Sequence, residues 1–246
     1  MSKLNAVILA AGKGTRMNSD LPKVIHKCNG QPMVHYVIKA VKDAGALDVC
    51  VVVGYKAKEV KDAIYDIVDY VEQTEQLGTG HAVKCARDFI GTEGDTIVLC
   101  GDTPLITGET LMGLVEEHRR RANGVTVLSA RVADPTGYGR IVRDENGVFQ
   151  EIIEQKDADD KQQSINEINS GMYIYNSEAL AASLELLSNE NSQGEYYLTD
   201  TIALIKKIGL KVSARVIDED KVDEIKGVNT IEQLKEAEEI MEKRGF

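Results

Sequence analysis

The chain has 246 residues, 43% of them hydrophobic, which is enough to bury a sizeable core in one domain or in one domain with a sub-domain. Its formal net charge of −11 argues against binding to nucleic acid or to an anionic membrane, because both depend on basic protein surfaces. No apolar run is long enough to span a bilayer and no apolar signal segment opens the chain, so we expect a cytoplasmic protein without a membrane partner.

The cysteines and histidines show no metal-binding pattern. Four cysteines are scattered without a Cys-x-x-Cys pair, and four histidines lack zinc-ligand spacing. We therefore expect reduced cysteines in the core and no transition-metal site.

A loop with two glycines and several cations follows the first predicted strand, residues 4–9. Gly12 and Gly14 let backbone N–H groups approach a phosphate chain closely, because no Cβ stands in the way. Arg16 can grip phosphate oxygens bidentately, and Lys23 adds a mobile point charge. The loop lacks the third glycine of a dinucleotide-binding fingerprint and does not fit the P-loop pattern. A nucleotide loop is favoured, and a solvated basic turn is the structural alternative.

Strands and helices are predicted to alternate through the first half of the chain. Such alternation indicates a Rossmann-like, doubly wound α/β fold with a mostly parallel sheet, in which ligands lie beyond the carboxyl ends of the strands. The predicted elements are a helix from Met33, a strand over 48–53, a helix over 57–67, a strand over 70–73, a helix over 81–90 and a strand over 96–100.

Two strand-exit loops carry side chains suited to a nucleotide. Gln73 and Gln76 offer amides that match the imide edge of uracil, and Gly78 lets a base lie against the backbone. A polar turn capping a helix is the alternative. Asp102 follows the most apolar strand, where Mg²⁺ is the natural counter-charge in a nucleotide site. Its alternative role, an N-cap for the helix near Thr110, is weakened by the intervening residues.

The second half begins with a predicted helix over 111–122. We interpret its basic end, Arg119 to Arg121, as a solvated face that complements the helix dipole and not as a phosphate site. A strand over 124–132 follows, and then a β-rich insert that we expect to form a flap over the strand ends. Its runs 140–143 and 148–153 flank an Asn-Gly turn signal.

The remaining predicted elements run to the end of the chain. They are a mobile charged loop over 157–161, a strand over 172–175, a helix ending near 208 with Thr199 as its cap, a strand over 211–217 and a helix over 231–243. Asn229, just before the last helix, is either an N-cap or a ligand-binding residue.

Six motifs give the chain a family resemblance. In order, the motifs are Leu9-Ala10-Ala11-Gly12-Lys13-Gly14-Thr15-Arg16-Met17 with Leu21-Pro22-Lys23, Gln76-Leu77-Gly78-Thr79-Gly80-His81-Ala82, Asp134-Pro135-Thr136-Gly137-Tyr138-Gly139-Arg140-Ile141, Glu167-Ile168-Asn169, Gln193-Gly194-Glu195-Tyr196-Tyr197 and Gly227-Val228-Asn229. With these motifs the chain resembles the sugar-phosphate nucleotidyltransferases, and within them the uridylyltransferase domain of the N-acetylglucosamine-1-phosphate uridylyltransferases.

The resemblance implies a nucleotide-diphospho-sugar transferase fold, the substrates UTP and N-acetylglucosamine 1-phosphate, and Mg²⁺ as cofactor. Catalysis would fall to Arg16 and Lys23, and the metal to Asp102 and Asn229. The sugar would be bound by Gly139, Glu154, Asn169 and Glu195. The nucleotide would be bound by Leu9, Ala10, Ala11, Gly12, Gln73, Gln76, Gly78, Thr79, Cys100 and Gly101. Cys100 departs from the family, in which tyrosine is common at that position.

The resemblance also implies one nucleotidyltransferase domain over 1–246, with a nucleotide-binding half over about 1–132, a sugar-binding half over about 133–229 and a C-terminal helix over about 230–246. Family members often carry an acetyltransferase domain that builds a trimer, and we expect a monomer for the present chain, which ends without that domain. Two other functions stay open: transfer to another sugar 1-phosphate, such as glucose or galactosamine 1-phosphate, and non-catalytic binding of a UDP-sugar by a regulator.

Overall fold

The structure is a computed structural model that describes residues 2–245. Its strands are β1 (Leu4–Ala10), β2 (Lys27–Cys28), β3 (Gln31–Pro32), β4 (Asp48–Val53), β5 (Asp69–Glu72), β6 (Asp95–Cys100), β7 (Asn123–Arg131), β8 (Arg140–Arg143), β9 (Phe149–Ile153), β10 (Glu167–Asn176) and β11 (Lys211–Val216). Its α-helices are α1 (Met33–Asp43), α2 (Ala57–Ala63), α3 (Thr79–Cys85), α4 (Arg87–Ile90), α5 (Gly108–Arg121), α6 (Asp160–Gln163), α7 (Ser177–Leu184), α8 (Asp200–Lys207) and α9 (Ile231–Arg244). Short 3₁₀ helices cover Thr15–Met17, Lys23–Ile25 and Glu219–Ile225.

A nine-stranded sheet runs through the molecule in the order β11-β7-β10-β6-β1-β4-β5, and the β8–β9 hairpin joins it through β10. β1 pairs in parallel with both β4 and β6, with Ala10 beside Val53 and Leu9 beside Cys100. β10 is antiparallel to both β6 and β7. The carboxyl ends of β1, β4, β5 and β6 therefore meet at one edge, as expected for a mostly parallel doubly wound sheet.

Helices cover both faces of the sheet because successive side chains of each buried strand point to opposite faces. Ile8 of β1 packs in the cluster that contains the apolar faces of α1 and α5, whereas its neighbour Val7 packs in the cluster that contains α3, α7 and α8. Both residues are fully buried. This burial on two faces explains why the strand sequences are continuously apolar rather than alternating.

The C-terminal helix α9 closes a third, smaller cluster beside the glycine loop. Met241 of α9 is fully buried in the same cluster as Met33 and Met17, and Met17 ends the 3₁₀ turn after Gly14. The Sγ atom of Cys28 lies 3.6 Å from the Sδ atom of Met241. Helix α9 thereby anchors the segment that precedes it, residues 227–229, next to the glycine loop.

Several element bounds differ from the sequence prediction. The helix predicted over 57–67 ends at Ala63, and Ile67 is almost fully exposed. The helix predicted over 81–90 begins two residues earlier and is interrupted at Ala86, where α3 gives way to α4. The charged loop predicted over 157–161 contains the start of α6, which Asp159 and Gln162 stabilise as a capping box.

Helix α8 also begins differently from the prediction. Thr199 precedes it but has a helical backbone conformation and makes no side-chain cap bond, so the predicted capping role is wrong. No helix among residues 2–245 is long and apolar enough to cross a bilayer.

Candidate active site

A cavity of about 320 Å³ opens at the carboxyl ends of β1, β5 and β6. Nine of the ten expected nucleotide-binding residues line it, and the tenth, Gly101, instead donates its backbone N–H to the Leu9 carbonyl at 2.9 Å. The lining residues are Leu9, Ala10, Ala11, Gly12, Lys23, Val24, Gln73, Gln76, Gly78, Thr79, Ala82, Cys100, Asp102 and Glu195. Residues from three strand ends thus form one wall, as the topology requires.

Two glycines shape this wall through close approaches. Gly78 has a φ of +107°, and a Cβ built on it would lie 2.6 Å from the backbone oxygen of Tyr196. Gly14 has a φ of +66°, and a Cβ there would lie 2.6 Å from the Cβ of Lys23. Any larger residue would push the 195–197 segment or Lys23 out of place, which is why only glycine fits.

The buried Gln73 side chain is held at a fixed orientation. Its amide nitrogen donates to the Gly78 carbonyl at 3.1 Å and contacts His81 Nδ1 at 3.1 Å. Within residues 2–245 the carbonyl oxygen of this amide has no hydrogen-bond partner, so it remains available to a donor such as a base N–H. The contact with His81 thus helps to orient the Gln73 side chain.

Four side chains converge at the other end of the cavity. The Lys23 ammonium forms an ion pair with Asp102 Oδ2 and donates to Asn229 Oδ1 at 2.9 Å. Arg16 Nη2 donates to the same Asn229 oxygen at 2.8 Å. The Asp102 and Asn229 oxygens that are expected to bind a metal therefore both contact the Lys23 ammonium. Arg16 and Asn229, which are 213 positions apart in the sequence, meet at the same place.

The alternative role of Asn229 as a helix cap is resolved by its neighbour. Thr230 is the N-cap of α9, since its hydroxyl accepts a hydrogen bond from the Gln233 backbone N–H at 3.2 Å. The Asn229 side chain points instead to Arg16 and Lys23. The backbone N–H of Val228 donates to the Asp102 carbonyl at 2.8 Å, which fixes the two loops against each other.

The donor set at this point fits Mg²⁺. A carboxylate and an amide oxygen share one cation position, and Mg²⁺ binds through few protein oxygens, filling its octahedron with water and phosphate oxygens. Gly227 leaves room beside them, because a Cβ built there would lie 3.7 Å from both Asp102 Oδ2 and Asn229 Nδ2. The Lys23 ammonium is the counter-charge of Asp102 in the structure.

Three of the four expected sugar-binding residues lie close together: Gly139 directly before β8, Glu154 directly after β9, and Asn169 on β10. The Asn169 backbone N–H donates to the Gly139 carbonyl at 2.9 Å. A Cβ built on Gly139 would lie 3.5 Å from Glu154 Oε2 and 3.0 Å from a methyl group of Ile152. The absence of a side chain at Gly139 is thus what keeps the space between Asn169 and Glu154 open.

The fourth, Glu195, lines the nucleotide cavity beside Gly78, with its Cβ 3.0 Å from the position of a Gly78 Cβ. The family resemblance groups Glu195 with the sugar-binding residues. The structure places it where the two expected subsites adjoin.

Glu154 is a buried carboxyl group in an acidic neighbourhood. Burial raises its pKa, against the lowering effect of a hydrogen bond from the Thr199 hydroxyl at 3.1 Å, and the charges of Asp157, Asp200 and Glu195 raise the pKa further. The sequence prediction had missed this function of Thr199 because a threonine before an acidic first turn is also typical of a helix cap.

Tyr173 is a second residue that the sequence prediction missed. Its hydroxyl accepts a hydrogen bond from Asn169 Nδ2 at 2.7 Å, while Asn169 Oδ1 accepts from the Gly171 backbone N–H at 3.0 Å. Tyr173 therefore fixes the orientation of the Asn169 amide. A signal was present in the sequence, since a buried tyrosine on an apolar strand needs a hydrogen-bond partner.

Cys100 lies between the expected nucleotide-binding residues and the expected sugar-binding residues. Its Sγ is 4.0 Å from the position of a Gly171 Cβ, and it lines the nucleotide cavity. Burial raises the pKa of this thiol to about 12, with a further contribution from the Asp102 charge. The thiol is therefore neutral and contributes a small apolar surface where the resembling family commonly has tyrosine.

Comparisons with known proteins identify similar chains. The chain is 51% identical over 239 residues to the bifunctional protein GlmU of Clostridioides difficile, covering 97% of this chain and 52% of that protein. It is 49% identical over 244 residues to the bifunctional protein GlmU of Caldanaerobacter subterraneus, covering 99% of this chain and 53% of that protein. The chain thus spans about half the length of the curated relatives it matches.

A similar fold occurs in a crystal structure from Bacillus anthracis, assigned as a glucose-1-phosphate thymidylyltransferase in complex with sucrose. The TM-score is 0.75 at 20% sequence identity, covering 96% of this chain and 94% of that chain. The family model described as nucleotidyl transferase matches residues 5–221. The chain therefore belongs to the nucleotidyl transferase family.

Proposed function

We propose that the chain transfers a uridylyl group from UTP to N-acetyl-α-D-glucosamine 1-phosphate, releasing pyrophosphate and forming UDP-N-acetylglucosamine. The observation that carries this proposal is the convergence of Arg16, Lys23, Asp102 and Asn229 at one end of a cavity whose other end presents the Gln73 amide. A polyphosphate and a uracil base would match these two ends. The motif resemblance and the relatives at about half identity over nearly the whole chain support the same substrates.

In the proposed reaction a phosphate oxygen of the sugar phosphate attacks the α-phosphorus of UTP. A new P–O bond forms there as the bond from the α-phosphorus to the bridging oxygen breaks, and the electron pair leaves with pyrophosphate. No general base is needed, since the attacking oxygen is already ionised at neutral pH. Catalysis then consists of positioning and charge neutralisation.

The two cations take separate parts in this scheme. Lys23, with its side chain only 18% exposed, neutralises the α-phosphate under attack. Arg16 lies nearer the solvent and neutralises the departing pyrophosphate, for which a guanidinium offers two parallel hydrogen bonds. To take these parts, Lys23 and Arg16 would exchange their contacts with Asp102 and Asn229 for contacts with phosphate oxygens.

We propose Mg²⁺ as the cofactor, held by Asp102 and Asn229. When bound, it would neutralise charge on the α-phosphate and on the attacking phosphate. Asn169 and Glu154 would meanwhile orient the sugar, with the Asn169 amide fixed by Tyr173 and the Glu154 carboxyl by Thr199.

A pyrophosphate-release assay tests the proposal. The chain is mixed with UTP, Mg²⁺ and N-acetylglucosamine 1-phosphate, and release should depend on all three. A panel of glucose and galactosamine 1-phosphates and of the other nucleoside triphosphates then measures specificity. Faster release with a different sugar phosphate would replace the acceptor in the proposal, and binding of UDP-N-acetylglucosamine without any turnover would identify a regulator.

A further inference from the structure

A second cavity, of about 660 Å³, lies away from the candidate active site and shares no lining residue with it. It is formed between α5, the carboxyl ends of β7 and β11, and the turn between β8 and β9. Five arginines and two glutamates line it. This concentration of guanidinium groups is unusual in a chain whose net charge is −11, so a structural reason for each arginine has to be sought first.

Three of the five arginines are explained by the fold. Arg143 makes two hydrogen bonds to the buried Glu167 carboxylate, at 2.8 and 2.6 Å, and donates to two backbone carbonyls. Arg215 donates to the Gly113 carbonyl and lies 3.7 Å from the Glu117 carboxylate. Arg121 forms an ion pair with Glu117 at 3.0 Å. These side chains hold α5, β11 and the hairpin in place, and they form the walls of the cavity.

The other two arginines have no such explanation. Within residues 2–245 neither Arg120 nor Arg131 has a hydrogen-bond or ion-pair partner, and both are exposed at the cavity. Arg131 lowers the pKa of Glu167 by its charge, but Glu167 is already bound to Arg143. Glu116, the second carboxylate of the lining, forms no ion pair with either of them within the described range.

The interpretation of Arg119 to Arg121 as a solvated helix end does not explain why two of these arginines, Arg120 and Arg121, lie near Arg131 in the folded chain. Arg119 turns away from the cavity and pairs with Asp95 at 2.7 Å. A helix dipole also gives no reason for Arg131, which lies at the end of a strand. The arginines come from separate elements and meet only in the folded chain.

We propose that this arginine cavity binds a small polyanion, a molecule that carries a diphosphate or triphosphate group. Guanidinium groups bind phosphate oxygens bidentately, and the unpartnered Arg120 and Arg131 are placed to do so between walls fixed by Arg143 and Arg121. The volume lies within the range of small-molecule sites. A diphosphate or triphosphate is favoured over a single phosphate because two unpartnered guanidinium groups, those of Arg120 and Arg131, line the cavity.

The cavity is joined to the candidate active site through two strands. Arg143 lies on β8, which begins next to Gly139, and its partner Glu167 lies on β10 two residues before Asn169. Binding in the cavity is nevertheless independent of the reaction proposed above, so it can be measured without turnover.

Isothermal titration calorimetry with inorganic pyrophosphate, at low salt and with EDTA, tests the proposal. The wild-type chain should show two classes of site, one at Arg16 and Lys23 and one in the arginine cavity. The double variant Arg120→Gln/Arg131→Gln should weaken one class by at least about tenfold and leave the other unchanged. The variant Arg16→Gln should do the reverse. The double variant should keep wild-type basal turnover.

The matched control removes two positive charges elsewhere, in the exposed Lys207→Gln/Lys243→Gln variant. If this control weakens binding as much as the cavity variant does, the effect is one of net charge and the proposal is wrong. A single class of site that disappears in Arg16→Gln and persists in the cavity variant also overturns it. Binding to phosphatidylglycerol vesicles that depends on Arg120 and Arg131, without binding of pyrophosphate, would assign the cavity to lipid headgroups instead of a free polyanion.

Discussion

Asp102 combines a structural contact with a chemical one. Its backbone carbonyl accepts the Val228 N–H, whereas its side chain faces Lys23 and the Asn229 oxygen. The variant Asp102→Ala removes only the second contact, so we expect turnover to fall at least about a hundredfold, as removal of an electrostatic catalytic group usually does. Steady-state pyrophosphate release measures this, with Asp48→Ala, on the exposed start of β4, as the control. Lost stability with full activity would show that Asp102 is merely structural.

Tyr173 and Tyr175 form a matched pair on one strand. Both are buried, with ring centroids 5.7 Å apart, but the Tyr173 hydroxyl contacts Asn169 whereas that of Tyr175 contacts Thr201 at 3.0 Å. We expect Tyr173→Phe to raise KM for the sugar phosphate by about threefold to tenfold, because one orienting hydrogen bond is lost. KM for UTP should not change. Equal effects of Tyr173→Phe and Tyr175→Phe would mean that Tyr173 acts through packing and does not position Asn169.

The buried Glu154 carboxyl, which we expect to bind the sugar, is predicted to lower the stability of the folded chain when it is ionised. Burial raises its folded-state pKa above the unfolded value of about 4.3, so the folded state binds the proton more tightly. Stability must then fall as the pH rises from the unfolded pKa through the folded one. Glu154→Gln cannot ionise, and its Tm should therefore exceed that of the wild type at pH 7, with the difference vanishing near pH 4. Turnover should fall in the same variant.

Glu167 supplies a control of the opposite sign for this measurement. Burial alone would raise its pKa, but the hydrogen bonds from Arg143 and Ser129 lower it overall. Its ionised form therefore stabilises the fold above the unfolded pKa, and that stability is lost as the pH falls through the folded pKa. At pH 7, Glu167→Gln should lower the free energy of unfolding by about 3 kcal/mol and lower the Tm accordingly. A Tm increase in both variants would refute the linkage argument for Glu154.

At the scale of whole elements, strand bounds were predicted well wherever a local signal in the sequence marks the end of the strand. β4 and β6 agree with prediction to within one residue, because a continuous apolar run ended by glycine has few other interpretations. β10 was predicted at less than half its length, since its first residues are the polar Glu167, Asn169 and Ser170. Those residues are extended because they pair with β7 and β8, which local sequence cannot reveal.

The convergence of site residues was predictable only in part. Gln73, Gln76 and Gly78 follow one strand, and topology alone brings them near Gly12 and Asp102. The contact of Arg16 and Lys23 with Asn229 depends on α9 packing beside the glycine loop. That packing is a tertiary contact without a local signal in the sequence.

Helix α9 gives a prediction at this scale. Thr230 caps it and thereby fixes the end of the loop that carries Asn229. Thr230→Ala should lower the free energy of unfolding by about 1 kcal/mol, as measured by urea denaturation, whereas Thr230→Ser should restore it. Thr199 precedes α8 without capping it and instead donates to Glu154. Thr199→Ala should therefore change KM for the sugar phosphate, and it should lower the free energy of unfolding less than Thr230→Ala does. A larger stability loss for Thr199→Ala than for Thr230→Ala would contradict this assignment.

On the scale of the molecule, the sequence halves over about 1–132 and 133–229 interleave in one sheet. β10, from the second half, lies between β6 and β7, both from the first. Asn169 on β10 and Asp102 after β6 are thus carried by adjacent strands. The relative position of the two expected subsites is set by hydrogen-bonded strands and not by a flexible linker.

This interleaving predicts that the chain unfolds as one unit. Removing either half would leave β10 or its two neighbours unpaired in the middle of the sheet, where buried backbone groups must be hydrogen-bonded. Differential scanning calorimetry should therefore give one transition with equal calorimetric and van't Hoff enthalpies. UTP with Mg²⁺ at a hundredfold excess over its Kd should stabilise that whole transition by about 2.7 kcal/mol. Two transitions, of which UTP shifts only one, would show instead that the nucleotide-binding half folds independently of the strand that carries Asn169.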